Sequence, residues 1–412
     1  MKVILEHGSF PVKNVKINIS GSKSESNRML ILQAQFPNIS IENLSESDDT
    51  KVLLEGLKTT NGTVDVHHAG TAMRFLTAYF AAKEDTEIIL TGSQRMQERP
   101  IEILVNALKS LGADIEYLKN EGFPPLKIKG KSLQKSEVKI KANISSQYIS
   151  ALMLVAPMFP NGLRIYLEGK TTSMPYIEMT LSLLKSIGIK GGFSKNEILI
   201  SSKKNVETKT LVVESDWSSA SYFYSLLALS ENAEMTLGSY SNKSLQGDSA
   251  LALIYDSLGV KTVFNTSEGI ISLSKKKTEL PDSLLLDLSN TPDLAQTIAI
   301  TCFGLGISCK LTGLHTLKIK ETDRLLALKN ELEKMGATIQ VDDDSLNLEK
   351  ATKINSNKSI DTYQDHRMAM AFAPLSLKTK LAINDAEVVS KSYPNFWKDL
   401  QKVGIKCVLE NS

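Results

Sequence analysis

GSKSESNR, residues 21–28, lies between a short alternating run, Val15 to Ile19, and an apolar periodic segment that starts at Met29. The run predicts a strand and the periodic segment a helix, so the octapeptide is a strand-to-helix turn. Free backbone N–H groups and the positive end of a helix dipole collect at such a turn. Ser22, Ser24 and Ser26 add hydroxyls there, and Lys23 and Arg28 add cations. The combination suits a phosphate or carboxylate, although a Ser-capped helix start with solvated charges has the same composition. A P-loop is excluded, because the Gly-x4-Gly-Lys-Ser/Thr spacing is absent.

Further along the chain the same unit recurs. AGTAMR at Ala69, ISSQYIS at Ile144, SDWSSASYF at Ser215, TPDLAQT at Thr291 and YQDHRMAM at Tyr363 each open an apolar segment. Successive turns lie about 70 residues apart, with the first interval shorter. Second helices follow, several ending in a Gly stop, as in ILVNALKSLG, LSLLKSIG, LALIYDSLG and ALKNELEKMG. Alternating stretches such as Leu126–Lys129 and Val138–Lys141 predict half-exposed strands. The expected unit is strand, helix, strand, helix, strand, strand, six times over and divided three and three. The first unit reads as truncated, with little strand material between Leu57 and His68.

Composition excludes several classes of function. The 412 residues carry 48 basic and 46 acidic side chains, net +2, which gives no overall nucleic-acid or membrane signal. Aromatic residues are not interleaved with the basic turns, so single-stranded nucleic acid is not an expected partner. Three cysteines (Cys302, Cys309 and Cys407) are too few for a disulfide framework and fit a reducing cytoplasm. Five scattered histidines give no metal-ligand spacing, so no metal is expected. The opening MKVILEHGSF lacks the apolar core of a secretion signal, and the longest apolar run, Tyr148 to Pro160, is too short to span a bilayer.

The basic residues gather at turns and helix starts: Lys23, Arg28, Arg74, Arg95, Arg99, Lys320, Arg324, Arg367 and Lys391. Any one alone reads as a solvated loop charge, but nine in a repeat with so little net charge point to an anionic ligand. Asp293, Glu321, Asp323 and Asp365 stand beside them and can act as acid or base or orient the guanidinium groups. Asp323 and Asp365 are expected to pair structurally with neighbouring arginines.

These stretches carry a resemblance. GSKSESNR, AGTAMR, RMQERPI, SSQYISAL, PYIEMTL, SSASYF, IKETDRL, DHRMAMA and SKSYP occur in the order found in the 5-enolpyruvylshikimate-3-phosphate synthases, and they run from end to end. The chain resembles that family of enolpyruvyl transferases. The resemblance implies an α/β fold of two inverse α/β barrels, each of three βαβαββ units around buried parallel helices. It places one domain at 21–214 and the other at 1–20 plus 215–412. The implied reaction moves the enolpyruvyl group of phosphoenolpyruvate to the 5-hydroxyl of shikimate-3-phosphate in chorismate biosynthesis. It needs no cofactor, and the enzyme is expected to be a cytoplasmic monomer.

By the same resemblance Lys23 touches both substrates and joins Asp293 and Glu321 as a catalytic group. Asp293 accepts the proton of the 5-hydroxyl, and Glu321 supplies one to the methylene carbon. Shikimate-3-phosphate would be held by Lys23, Ser24, Arg28, Ser145, Ser146, Gln147, Ser173, Tyr176, Asp293 and Lys320. Phosphoenolpyruvate would meet Lys23, Gly70, Arg99, Gln147, Arg324, Arg367 and Lys391. Three positions depart from the family pattern: His68 and Thr316 replace Asn, and Phe75 replaces Pro. The alternatives are the sister transferase acting on UDP-N-acetylglucosamine, whose cleft loop usually carries a reactive cysteine, and a non-catalytic binder of phosphate esters. No cysteine lies near RMQERP, and the carboxylates argue against a mere binder.

Overall fold

The computed structural model describes residues 1–11, 14–141, 146–169 and 174–410. It divides into two compact units, one of residues 1–21 and 214–412 and the other of residues 22–213. Gly21 and Glu214 go with the discontinuous unit, where Gly21 bridges Ser215 and the Ser215 hydroxyl donates to the Ile19 carbonyl at 2.5 Å.

The continuous unit contains two four-stranded sheets. In one, Asn61–Asp65 runs parallel to Glu87–Thr91, followed by Leu126–Lys129 and Asp114–Tyr117, both antiparallel to their neighbours. In the other, Glu137–Lys141 runs parallel to Leu163–Glu168, with Glu197–Ile200 and Gly191–Ser194 completing it. A third sheet has only two strands, Ile39–Glu42 and Lys209–Val212, paired in parallel. This is the truncated unit, which has no closing hairpin among the described residues. The strand Asn61–Asp65 corrects the expectation of little strand material before His68. Only Val64 of its five residues is buried, so there was no alternation to read.

The discontinuous unit repeats the pattern three times in full. Each four-stranded sheet has one parallel pair and then two antiparallel neighbours: Lys16–Ile17 with Glu234–Gly238, Ser283–Asp287 with Ser308–Thr312, and Lys358–Ile360 with Leu381–Ile383. The chain's opening strand, Lys2–Glu6, completes the last of these, between Leu381–Ile383 and Lys406–Glu410.

The helix after the first strand of each repeat is largely buried, and apart from Lys23–Gln35, where only Met29–Leu32 is an apolar run, its sequence is apolar over most of its length. In Gly70–Ala82 every residue except Thr71 is buried, and in Trp217–Leu229 every residue except Ser218. Such helices have no water-facing side and form the centre of a unit. Lys23–Gln35, Gly70–Ala82 and Ser146–Val155 pack on one another in the continuous unit. In the other unit Trp217–Leu229 and His366–Phe372 flank Ala295–Leu305. Second helices such as Glu102–Ser110 and Arg324–Lys334 bury one face only. Each buried helix starts at one of the sequence's polar turns, so the polar residues of that turn lie at the end of an apolar core.

Candidate functional site

In the continuous unit, Arg28 is buried beside the centre of the bundle, 2% exposed. Its Nε donates to Thr180 Oγ1 at 2.8 Å, Nη1 to the Ser24 carbonyl at 2.7 Å and Nη2 to Ser150 Oγ at 2.9 Å. The rings of Phe75 and Tyr176 lie 5.4 and 5.5 Å from the guanidinium carbon. Burial pushes its pKa down to about 10, with Tyr176 and Glu25 opposing, so it remains a cation at neutral pH. Phe75, one of the departures, therefore forms one wall of the Arg28 cage. Lys23 Nζ lies 3.4 Å from Asp49 Oδ2, a partner not foreseen although Asp48-Asp49 stands at a Ser47-capped helix start.

Arg74 is buried without a carboxylate partner among the described residues, and it anchors the next loop. Its Nη2 donates to the Pro100 carbonyl at 2.9 Å, which also accepts the Tyr148 hydroxyl at 2.7 Å. Burial and then the neighbouring Arg99 push it down to about 10. The loop so held carries Arg99, whose guanidinium lies against Gly70; a Cβ there would stand 2.6 Å from Arg99 Nη1 and 2.9 Å from Nη2. Gln147 Nε2 donates to Thr71 Oγ1 at 3.3 Å, and Ser146 is buried at the start of its helix. His68 meets Ser93 Oγ through Nδ1 at 2.8 Å. Arg95 does not join this group. It makes an exposed pair with Glu98 at 3.3 Å. Ser145 and Ser173 lie outside the described residues.

In the discontinuous unit, five of the predicted residues (Asp293, Lys320, Glu321, Arg324 and Arg367) and Asp365 form one network. Asp293 occupies the 3-10 turn Pro292–Leu294 at the head of Ala295–Leu305. Its Oδ1 accepts Arg324 Nη1 at 2.8 Å and lies 3.8 Å from Lys320 Nζ, and its Oδ2 accepts Arg367 Nη2 at 3.0 Å. Arg324 also donates to Glu321 Oε2 at 2.7 Å and, through Nε, to Asp365 Oδ2 at 2.6 Å. Burial alone would raise the Asp293 carboxyl, but Arg367, Lys320 and Arg324 outweigh it and hold the group well below the usual carboxylate range. Lys320 is pulled up by Asp293, yet burial and the Arg324 and Arg367 charges leave it below an ordinary lysine.

Asp365 Oδ1 caps His366–Phe372 by accepting Arg367 N at 2.8 Å, and so serves cap and ion pair together. The expectation that Asp323 pairs with an arginine is corrected. Asp323 caps Arg324–Lys334, accepting Leu325 N and Leu326 N at 3.1 Å. The Asp365 turn is entered through Tyr363 (φ 53) and Gln364 (φ 56), left-handed backbone that L residues adopt at a cost of about 1–2 kcal/mol each. Tyr363 Oη donates to Glu331 at 2.7 Å, and the Gln364 carbonyl accepts Lys391 Nζ at 2.8 Å. Thr316 Oγ1 is buried with no hydrogen-bond partner among the described residues.

A model of the family EPSP synthase (3-phosphoshikimate 1-carboxyvinyltransferase) matches residues 58–400. A 3-phosphoshikimate 1-carboxyvinyltransferase of Bacteroides fragilis is 45% identical over 392 residues, 94% of this chain and 95% of that protein.

The chain belongs to the EPSP synthase family.

A Haemophilus influenzae 3-phosphoshikimate 1-carboxyvinyltransferase is 35% identical over 425 residues, covering 95% of this chain and 96% of its own length. The fold matches an EPSP synthase structure from Acinetobacter baumannii with a TM-score of 0.77 at 20% identity, over 99% of this chain and 100% of that one. The two inverse α/β barrels implied by the sequence thus have a solved counterpart in the EPSP synthase fold. Among the described residues no helix is long and apolar enough to cross a membrane. No group of three or more His, Cys, Asp or Glu among them could hold a metal ion.

Proposed function

We infer that this chain transfers the enolpyruvyl group of phosphoenolpyruvate to the 5-hydroxyl of shikimate-3-phosphate, releasing phosphate, in aromatic amino-acid biosynthesis. Family membership supplies the reaction. The observation that ties it to this chain is Asp293, a carboxylate bonded to Arg324 and Arg367 with Lys320 at 3.8 Å.

The reaction joins two multiply charged anions and must move protons. Fixed cations offset the repulsion between the substrates and stabilise the charge that develops. In the continuous unit we assign Lys23, Ser24, Arg28, Ser145, Ser146, Gln147, Ser173 and Tyr176 to shikimate-3-phosphate, with Lys23 also touching phosphoenolpyruvate. Gly70, Arg99 and Gln147 of that unit are assigned to phosphoenolpyruvate. In the discontinuous unit Lys320 and Asp293 serve the acceptor, and Arg324, Arg367 and Lys391 the donor. Glu321 protonates the methylene carbon while Asp293 takes the hydroxyl proton. The oxygen attacks the cationic carbon to give a tetrahedral ketal phosphate. Loss of phosphate by C–O cleavage then restores the enol ether.

The depressed pKa of Asp293 makes it a poor base while its cations are uncompensated. Substrate anions docked on Arg324, Arg367 and Lys320 would cancel that field and restore its basicity when it is needed. Lys and Arg supply the positive charge, so the reading calls for no cofactor. It also places the enzyme in the cytoplasm, as a monomer on soluble substrates. Phosphate release with phosphoenolpyruvate and shikimate-3-phosphate tests the assignment. Turnover with UDP-N-acetylglucosamine instead would replace it with the sister reaction.

The assignment of Gly70 and Arg99 gives a sharper expectation. Gly70→Ala places a methyl group within 3.0 Å of three Arg99 guanidinium atoms, and the flexible side chain must yield rather than the backbone. The fold should survive. The lost charge-assisted contact, about 1.5–3 kcal/mol, should raise the KM for phosphoenolpyruvate roughly 10- to 100-fold, with little change for shikimate-3-phosphate. An unchanged KM would remove Arg99 from the donor site.

A further inference from the structure

Asp248 stood outside the anion-binding pattern read from the sequence. It lies in the 3-10 turn Gly247–Ala250 and is 6% exposed. The residue before that turn, Gln246, fastens it to the head of the Trp217–Leu229 helix: Oε1 accepts Trp217 N at 3.0 Å and Nε2 donates to the Ser215 carbonyl at 2.9 Å. On the same helical turn, Ser218 Oγ donates to Asp248 Oδ2 and accepts Arg367 Nη2 at 3.4 Å. That nitrogen also donates to Asp293 Oδ2 at 3.0 Å. The Arg367 guanidinium therefore serves two carboxylates, Asp293 directly and Asp248 through a hydroxyl.

A turn fastener needs no charge, since Gln246 already ties the turn down with neutral groups. A buried carboxylate costs free energy unless a counter-charge answers it. The charged groups that face Asp248 are Asp293 from the turn before Ala295–Leu305, Arg367 from His366–Phe372 and Asp216 from the cap of Trp217–Leu229. Only one of the three is a cation, and Asp293 shares it.

We propose that Asp248 is a relayed counter-charge of Arg367 that takes up a proton when phosphoenolpyruvate docks on that guanidinium. The inference rests on the reading that Arg367 holds this substrate. Burial first, and then Asp293, push the Asp248 carboxyl up to about 7, while Arg367 and the Ser218 hydroxyl hold it back. A substrate anion adds negative charge to this group, which favours the protonated carboxyl further. No bond other than O–H is made or broken, and the proton comes from solvent.

The test is the KM for phosphoenolpyruvate between pH 6.5 and 9 at saturating shikimate-3-phosphate, by phosphate release. In the wild type it should rise as Asp248 ionises. Asp248→Asn has the same shape without the charge, so its KM at pH 8.5 should be lower than wild type by about 10-fold, from a charge a few ångströms away. Ionisation of the substrate's own phosphate appears in both proteins and cancels in their difference. Ser218→Ala removes the bond that favours the ionised form, so its midpoint should move to higher pH. Calorimetry of the wild type in two buffers of different ionisation enthalpy should show proton uptake on binding near pH 7.5, and this requires no variant.

A fastener would give the opposite sign, a higher KM and a lower melting point in Asp248→Asn. Parallel profiles, weaker binding in Asp248→Asn, or absence of proton uptake overturns the inference while leaving the transferase reading intact. A wild type that releases no phosphate overturns both.

Discussion

Asp293→Asn should lower kcat by about 10²–10⁴, the range for a positioned acid–base group, while shikimate-3-phosphate still binds. The substitution keeps the shape of the side chain but presents one oxygen where there were two. Asp293 now meets Arg324 with one oxygen and Arg367 with the other. In the amide, an N–H must face one of the guanidinium groups, so one contact becomes donor against donor. The carboxyl is also the only assigned group for the hydroxyl proton. The expected signature is a loss in kcat larger than any change in KM for the acceptor, measured by steady-state phosphate release with calorimetric binding alongside. Turnover near the wild-type rate would take the base away from Asp293. Asp248 then reports on the same substitution. With the Asp293 charge gone, one of the three causes that raise the Asp248 carboxyl (burial, Asp293 and Asp216) is gone as well, so the pH midpoint assigned to Asp248 should fall.

How far the sequence discloses this arrangement differs from residue to residue. The six buried helices among the described residues were legible because each opens at a polar turn and then runs into an apolar segment, as Met29–Leu32 does in Lys23–Gln35, a contrast that survives without an alignment. The Asn61–Asp65 strand was not, because four of its five residues are exposed and its place in the sheet comes from backbone pairing with Glu87–Thr91. At the site, charge located the right turns but could not say which cations share a partner. Arg95 and Arg99 are four residues apart in one motif. One makes an exposed pair with Glu98, and the other lies on the Gly70 backbone. Asp248 was missed for the converse reason. A single acid in a Ser- and Gly-rich stretch carries no periodic or charge signal, and its tie to Arg367 runs through a serine 30 positions earlier. Asp323 and Asp365 look alike in sequence, each just ahead of an arginine. Only Asp365 is fully buried, and only Asp365 both caps a helix and answers Arg324.

That double duty makes Asp365→Ala the substitution with the largest expected effect on stability. The side chain has no exposed surface and holds Arg324 Nε at 2.6 Å while capping the helix that carries Arg367. Removing it leaves a guanidinium only 2% exposed with one carboxylate fewer, together with an uncapped helix start. Breaking a buried pair from one side costs about 3–5 kcal/mol, of which about 1 kcal/mol is the cap. Both tryptophans, Trp217 and Trp397, belong to the discontinuous unit and are buried, so their fluorescence follows the unfolding of that unit and not of residues 22–213. The urea midpoint of that signal should fall by roughly 1–5 M, for a slope of about 1–3 kcal/mol per M. Asp365→Asn separates the two duties. It retains an oxygen for the Arg367 amide but loses the ion pair, since its N–H then faces Arg324 Nε, so its midpoint should lie between wild type and Ala. If Asn matches Ala, the cap is worth nothing at this helix. If Ala matches wild type, Asp293 and Glu321 already satisfy Arg324 between them, and Asp365 does not hold the network together.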